Sequence, residues 1–349
     1  MSFFGAGAAG ASTEPKDAEL VDPPSDSISS LSFSSSPQSD YLAVGSWDNQ
    51  VRIYEVNAQG QSQGKAAYAH DAPVLDVCWN KDGSKLFSGG VDKAAKMFDL
   101  GTGASQQVGV HDAPIKAVRW VEAPSGGILA TGSWDKMVKF WDLRTPNPVA
   151  SVNMADKVYS MDVVYPLMVV GTAERHIQII NLNNPTSIFK SMSSPLKWQT
   201  RVVSCFPSAT GFAVGSVEGR VAIQYIEDKD SSSNFSFKCH RQDHNGSKDQ
   251  QAVYAVNAIT FHQGYGTFST AGADGTINFW DKDSKTRLKT FPRNPGPITA
   301  TAFSKTGGIF AYAISYDWSK GFSGMVPSLP NKVMLHSVKD EDIKKKPRK

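Results

Sequence analysis

The sequence contains no run of about 18 apolar residues that could cross a membrane as a helix. Its beginning, "MSFFGAGAAGASTEPKD", has neither the basic stretch nor the long apolar stretch of a secretion signal. Membrane insertion and secretion are therefore not expected. Cysteine is scarce: Cys78, Cys205 and Cys239 are far apart, odd in number and form no CxxC pair. Neither a disulfide framework nor a four-ligand zinc site is suggested by that usage. A reducing compartment, cytosol or nucleus, fits this usage, and the Asn-x-Ser sequences at Asn234 and Asn245 would stay unmodified there. Also missing are a P-loop, a Gly-x-Ser-x-Gly elbow, a His-Glu-x-x-His pair and a Gly-x-Gly-x-x-Gly leading into a helix. No enzyme class is signalled, and no cofactor or metal is expected.

Charge of one sign is also lacking. The net charge is +3, and residues 339–349, "KDEDIKKKPRK", with six basic and three acidic side chains, account for all of it. Affinity for anionic partners must come from a local patch on the body or from this tail. Its "KKKPRK" could serve as a nuclear-import signal or as a nonspecific RNA contact, with solvated disorder as the plainer reading.

What is present is a repeat. "VGSWDNQVRIYEV" (44–56), "GGVDKAAKMFDL" (89–100), "TGSWDKMVKFWDL" (131–143), "GTAERHIQIINL" (171–182), "GSVEGRVAIQYI" (215–226) and "AGADGTINFWDK" (271–282) share one template. Each has a strand ending on small residues, a turn with Asp or Glu, then alternating apolar positions. Their starts fall roughly 40 to 55 residues apart, the period of a four-stranded propeller blade. In "MVKFWDL", Val138 and Phe140 fall on one face and Lys139 and Trp141 on the other, as strand alternation requires. "DAPVLDVCWN" (71–80) and "DAPIKAVRWV" (112–121) read as inner strands.

A seventh copy is split. "AISYD" (313–317) aligns with "VGSWD" and "NKVMLHSV" (331–338) with the strand after the turn, so Trp318 to Pro330 is an insertion that projects from one rim. Its Trp318, Phe322, Met325, Val326 and Leu329 either fold back over the blade or wait for a partner. The seventh copy lacks an outermost strand, and "DAELVD" (17–22), ahead of the first inner strand "SISSLSF" (27–33), can supply it. The expected architecture is all-β: a seven-bladed propeller over 17–338, closed by the N-terminal strand, with a disordered leader at 1–16 and a basic tail at 339–349.

The repeats resemble those of WD-repeat propellers. That resemblance implies a hydrogen-bonded tetrad in each blade: His111, Thr131, Asp135 and Trp141 match its four positions. His70, Ser88 and Asp92 supply three of them in the preceding blade, with Phe98 at the Trp position, and Thr270, Asp274 and Trp280 match in part. One such set per blade is a structural pattern rather than a catalytic site. A hydrolase using the central channel would need clustered acid and base groups there.

Within the WD-repeat class, the sequence resembles the messenger-RNA export factors of the nuclear pore, the Rae/Gle type. The matching stretches are "DSISSLSFSSSP" (26–37), "GSWDNQVRIYEV", "HDAPVLDVCW", "GSWDKMVKFWDLR", "GSVEGRVAIQYI", "FSFKCHR", "YAVNAITFH", "FWDKD" and "AYAISYDWSKG", spread over nearly all of residues 18–338. The Bub-type spindle-checkpoint propellers are the nearest relatives in architecture, so a mitotic scaffold binding checkpoint-kinase peptides is the alternative. "SFFGAG" is similar to the Phe-Gly sequences of pore proteins, against the plainer reading of a Gly/Ala leader.

A basic cluster falls on blades five and six: Arg220, Lys238, His240 and Arg241, then Lys282, Lys285, Arg287, Lys289 and Arg293, with Phe235 and Phe237 alternating through "FSFKCHR". Such a strip can hold paired carboxylates, or stack and neutralise single-stranded RNA; ordinary solvated loop charges are the plainer reading. The resemblance implies that a GLEBS segment, the short acidic and apolar stretch of a Phe-Gly nucleoporin, meets Arg220 and Lys238. It implies a neighbouring groove for nucleic acid at Phe237, Trp280, Asp281, Lys282, Lys285 and Arg287, with Arg241 and Trp318 also at the partner surface. Cys239, His240 and His244 have no fourth ligand at useful spacing, which argues against a metal. The expected protein is a monomer within a heterocomplex at the nuclear pore and envelope, also present in the cytoplasm.

Overall fold

The computed structural model describes residues 17–36, 39–124, 126–244 and 247–345. The expected leader at 1–16 lies outside them. Among the described residues the strands form seven four-stranded antiparallel sheets and one two-stranded hairpin. Blade one comprises Ile28–Phe33, Asp40–Ser46, Gln50–Val56 and Ser62–Ala69; blade three comprises Ile115–Ala123, Gly126–Ser133, Met137–Trp141 and Ala150–Asn153. Blade five comprises Thr200–Cys205, Gly211–Ser216, Arg220–Tyr225 and Phe235–Lys238, and blade six Val256–Phe261, Phe268–Gly272, Ile277–Asp281 and Thr286–Thr290. Each inner strand packs on the next around the ring, and that of blade one, Ile28–Phe33, packs on that of blade seven, Ile298–Phe303.

The core explains why the ring must close. Its apolar residues fall into seven clusters, and each lies between two neighbouring blades rather than inside one. Val138 and Phe140 face blade four, whereas Trp141, on the opposite face of the same strand, packs towards blade two. A blade alone would leave both faces wet, so stability comes from neighbours.

Closure uses the N-terminal strand. Ala18–Glu19 pairs antiparallel with Lys332–Ser337, and Leu20, 2% exposed, enters the core between blades seven and one. Asp17 accepts hydrogen bonds from the Tyr312 hydroxyl (2.6 Å) and His336 Nδ1 (2.7 Å). Burial works against the Asp17 charge, but these partners hold its carboxyl below the usual range.

The second and fourth strands of every blade run towards the same rim, called upper below. It therefore carries the turns after the second strands and the connections between blades. In those turns an Asp side chain accepts the backbone N–H two residues on, at Asp48, Asp92, Asp135, Asp274 and Asp317. The following residue takes a left-handed backbone: Asn49, Lys93, Lys136, Gly275 and, in blade seven, Trp318. Blade seven thus begins the common turn before the insertion departs from it.

The tetrads form as hydrogen-bonded units. His111 bonds Asp135 and Thr131, each at 2.7 Å, and the Trp141 indole donates to Thr131 at 2.8 Å. In blade two, His70 bonds Asp92 (2.8 Å) and Ser88 (2.7 Å); Tyr68 supplies the fourth donor at 2.8 Å while Phe98 stacks on its ring. Burial pushes both imidazoles below their usual value, against the pull of the aspartates.

Blade six corrects the sequence reading. His240 is 4% exposed and bonds Asp274 (2.9 Å) and Thr270 (3.0 Å), and Trp280 donates to Thr270 at 2.9 Å. It completes a tetrad and is not a surface cation. The hairpin Arg241–His244 and Ser247–Val253, inserted after this histidine, sets it 30 residues before Thr270, whereas His111 is 20 before Thr131. The chain after blade seven also differs from a free tail: Asp340–Ile343 form a helical turn whose Ile343 is 1% exposed.

Candidate functional site

Arg220 opens the third strand of blade five and Lys238 ends the fourth, so antiparallel register sets them side by side at the upper rim. Like charges directly opposite on a sheet repel. Relief comes from Glu218, whose carboxylate lies 3.9 Å from Arg220 Nε and whose backbone carbonyl accepts from Arg241 at 2.9 Å. Three cations thus crowd one corner of the rim, with a carboxylate within 4 Å of only one of them among the described residues. Lys238 is exposed and has no carboxylate partner among the described residues, and Arg241 Nε is buried without an acceptor. The geometry suits two or more incoming carboxylates, which would replace repulsion by charge-assisted hydrogen bonds.

Below this rim the outer faces of blades five and six meet in a seam, called the groove here, where Phe235, Phe237 and Trp280 pack half-buried on the interblade core. Phe235 and Phe237, two residues apart on the outer strand, point the same way, with ring centres 6.1 Å apart. Phe237 meets Trp280 at 4.6 Å. Cations border the rings: Arg287 lies 5.9 Å from the Trp280 ring, Lys285 4.8 Å from Phe235, and Lys282 5.0 Å from Phe206. Trp280 serves both surfaces, its N–H spent in the tetrad and its ring half-buried in the groove. Aromatic faces edged by cations can stack bases and neutralise phosphates.

Not every expected residue lies in this groove. Asp281 is 3% exposed, and its carboxylate accepts from the Asp283 N–H (3.0 Å) and Ser284 hydroxyl (2.7 Å), so it braces the turn. Lys289 turns towards Asp342 (2.7 Å), and Arg293 donates to the Asp274 carbonyl at 3.0 Å. Trp318 stacks on Trp47, with ring centres 4.2 Å apart, at the mouth of the central channel, in a cavity of about 350 Å³ that none of the groove residues lines. The insertion therefore splits: Trp318 packs, whereas Phe322, Met325 and Val326 are exposed. Cys239 is buried, which pushes its thiol up, and the side chain of His244 lies outside the described residues.

Paired carboxylates do occur in the channel, on inner strands. Asp76 and Asp162 flank Arg119 at 2.5 and 3.2 Å and also accept the N–H groups of Val118 (3.0 Å) and Cys205 (2.7 Å). They tie blades two, three and four together through one guanidinium. Sequence reading missed this bridge because its three members lie 43 residues apart, one per blade.

Comparison with known proteins agrees with the architecture. Models of the WD domain, G-beta repeat, match residues 105–142 and 237–281, and that of the anaphase-promoting complex subunit 4 WD40 domain matches 33–123. The chain is 57% identical to the poly(A)+ RNA export protein of Schizosaccharomyces pombe, covering 96% of this chain and 94% of the relative. It is 54% identical to the mRNA export factor GLE2 of Chaetomium thermophilum (95% and 93% covered) and 45% identical to Protein Rae1 of Drosophila melanogaster (96% and 98%). No helix among the described residues is long and apolar enough to cross a membrane. With near full-length identity at this level and WD repeats in a closed seven-bladed ring, the chain belongs to the WD-repeat family of mRNA export factors.

Proposed function

We propose that this protein is a non-catalytic adaptor in nuclear mRNA export. The upper rim of blade five takes the carboxylates of a GLEBS-type nucleoporin segment, and the groove between blades five and six takes single-stranded RNA. The adaptor works at the nuclear pore, as one chain of a heterocomplex. The observation that carries the reading is the side-by-side placement of Arg220 and Lys238, with Arg241 held on the Glu218 backbone carbonyl and only Arg220 within 4 Å of that residue's carboxylate. A rim built this way is costly unless an anionic partner arrives. The export names of near full-length relatives supply the process.

The test is calorimetric titration of a GLEBS peptide into the wild-type chain and into Arg220→Glu/Lys238→Glu. Binding should be lost in the variant while its melting temperature stays unchanged. Full retention of affinity would overturn the peptide site, and preference for a checkpoint-kinase peptide would move the reading to a mitotic scaffold.

A further inference from the structure

The inner strands line the central channel, and every one of them begins with the same irregularity. Where it pairs with the second strand of its blade, the register slips after the first residue, so one side chain per blade is left over at the upper end of the channel. These seven residues are Ser29, Leu75, Lys116, Tyr159, Arg201, Asn257 and Thr299, and all of them line the cavity of about 350 Å³ at the channel mouth. Their ring holds two cations and no acid. Lys116 comes from blade three and Arg201 from blade five, with Tyr159 of blade four between them. The turns above add aromatic walls. Trp47 and Trp134 stand before the turn Asp of blades one and three, where blades two, five and six have Val91, Val217 and Ala273, and Trp318 stacks on Trp47.

Polar groups around this mouth lack partners to an unusual degree. Of the seven side-chain N or O atoms buried without a hydrogen-bond partner among the described residues, five belong to its lining: Nε1 of Trp134 and Trp318, Oγ1 of Thr200 and Thr299, and Oδ1 of Asn257. Buried polar atoms are rarely left so. Lys116 makes no hydrogen bond and no ion pair within 4 Å among the described residues, and Arg201 donates to the Asp317 carbonyl at 2.9 Å. Asp317, the one carboxylate in the lining, is 5% exposed and already accepts from the Ser319 N–H and Asn257 Nδ2, each at 3.1 Å. Burial pushes the Lys116 ammonium below its usual value against the pull of Asp76, and Arg201 adds to the push. Water can satisfy the hydroxyls and the amide. Indole, ammonium and guanidinium groups only donate, and two cations in one enclosed mouth call for negative charge as well as an acceptor.

We propose that the channel mouth binds a small organic oxyanion, a phosphate or carboxylate, with Lys116 and Arg201 holding its charge and the Trp134 and Trp318 N–H groups its oxygens. Small-ligand cavities run from about 300 to 1,000 Å³, so this one takes more than a bare ion. The aromatic walls receive the body that carries the anionic group. The site is separate from the peptide and RNA surfaces proposed above and depends on neither, since Arg220, Lys238 and Trp280 do not line the cavity.

The experiment titrates the full chain with inorganic phosphate, phenyl phosphate and benzoate at constant ionic strength. Binding is read by calorimetry and by melting temperature, which a ligand of the folded state raises. The variants are Lys116→Gln, Lys116→Gln/Arg201→Gln and Trp134→Phe. Lys116→Gln removes no hydrogen bond among the described residues, so it should melt like the wild type without ligand. Phenyl phosphate and benzoate should bind saturably, the former several-fold more tightly than inorganic phosphate. Lys116→Gln should weaken phenyl phosphate about tenfold, and the double variant should abolish its binding. Trp134→Phe, which keeps a ring and loses the N–H, should weaken it about threefold.

No saturable binding of any of the three by the full chain would overturn the proposal, and so would affinities unchanged in Lys116→Gln. Phenyl phosphate that binds no better than inorganic phosphate would overturn the organic class of ligand. A GLEBS peptide titrated into the double variant identifies the source of the anionic group. Unchanged peptide affinity supports a free small molecule. Lost peptide affinity, together with displacement of phenyl phosphate by the peptide from the wild-type chain, would support the oxyanion site and name the peptide's carboxylates as its source.

Discussion

Blade three and the wall between blades five and six are built from the same strands, yet they use polar side chains in opposite ways. In blade three, His111, Thr131, Asp135 and Trp141 spend their polar groups on one another, out of water. Between blades five and six, Arg220, Lys238, Lys285 and Arg287 face solvent or aromatic rings, and of these four only Arg220 lies within 4 Å of a carboxylate among the described residues. The contrast separates residues that hold the ring from residues left for a partner. Stability should be sensitive to the first set and indifferent to the second, and binding the reverse.

The comparison can be broken in several ways, and the largest effect concerns the ring itself. Deleting residues 1–24 removes Leu20, the Asp17 bonds and the pairing with Lys332–Ser337, so the ring should lose cooperative unfolding or melt at a much lower temperature. Deleting 1–12 should leave the melting temperature unchanged. An unchanged melt in the longer deletion would mean that closure lies elsewhere.

Next comes His240→Ala, which leaves the carboxylate of Asp274 buried without its imidazole. Loss of one partner from such a pair costs about 3 kcal/mol, to be read by urea denaturation. A cost below about 0.5 kcal/mol, the range of ordinary surface changes, would return His240 to the surface cluster. Acid should act on the same units. The folded pKa values of His70 and His111 are lowered by burial, so the unfolded chain takes up protons first as pH falls below about 6.5. Stability should therefore decline from pH 7 to pH 5, and the decline should flatten in His70→Asn/His111→Asn. The lowered carboxyls of Asp17, Asp135 and Asp274 add a second loss below about pH 4, as protonation reaches them.

The smallest stability effect belongs to the groove. Lys285→Glu/Arg287→Glu should change unfolding free energy by less than about 0.5 kcal/mol while weakening RNA binding. A larger loss of stability would mean that these cations help hold blades five and six together.

Much of this division could be read from residue order. The period, the split seventh copy and the missing outer strand were legible because each blade repeats the same turn and alternation. Tetrads at normal spacing, in blades two and three, were equally plain. His240 was not, because a hairpin after it stretches the spacing and its neighbours Lys238 and Arg241 give it the look of a cation cluster. Asp281 was assigned to the groove beside Lys282, but successive residues of a strand point to opposite sides, so Asp281 turns away from the face of Trp280 and its carboxylate braces the turn. The acidic part of the tail was unreadable for a different reason: its partners Tyr265, Lys289 and His336 come from two blades and meet only in the folded chain.

The most direct test of the central claim pairs peptide titration with thermal melting on two variants, His240→Ala and Arg220→Glu/Lys238→Glu. The account predicts a crossed result: the first melts early, and the second melts normally but no longer binds the GLEBS peptide. A charge-reversed rim that still binds with wild-type affinity, or a His240 variant that melts like the wild type, would contradict it.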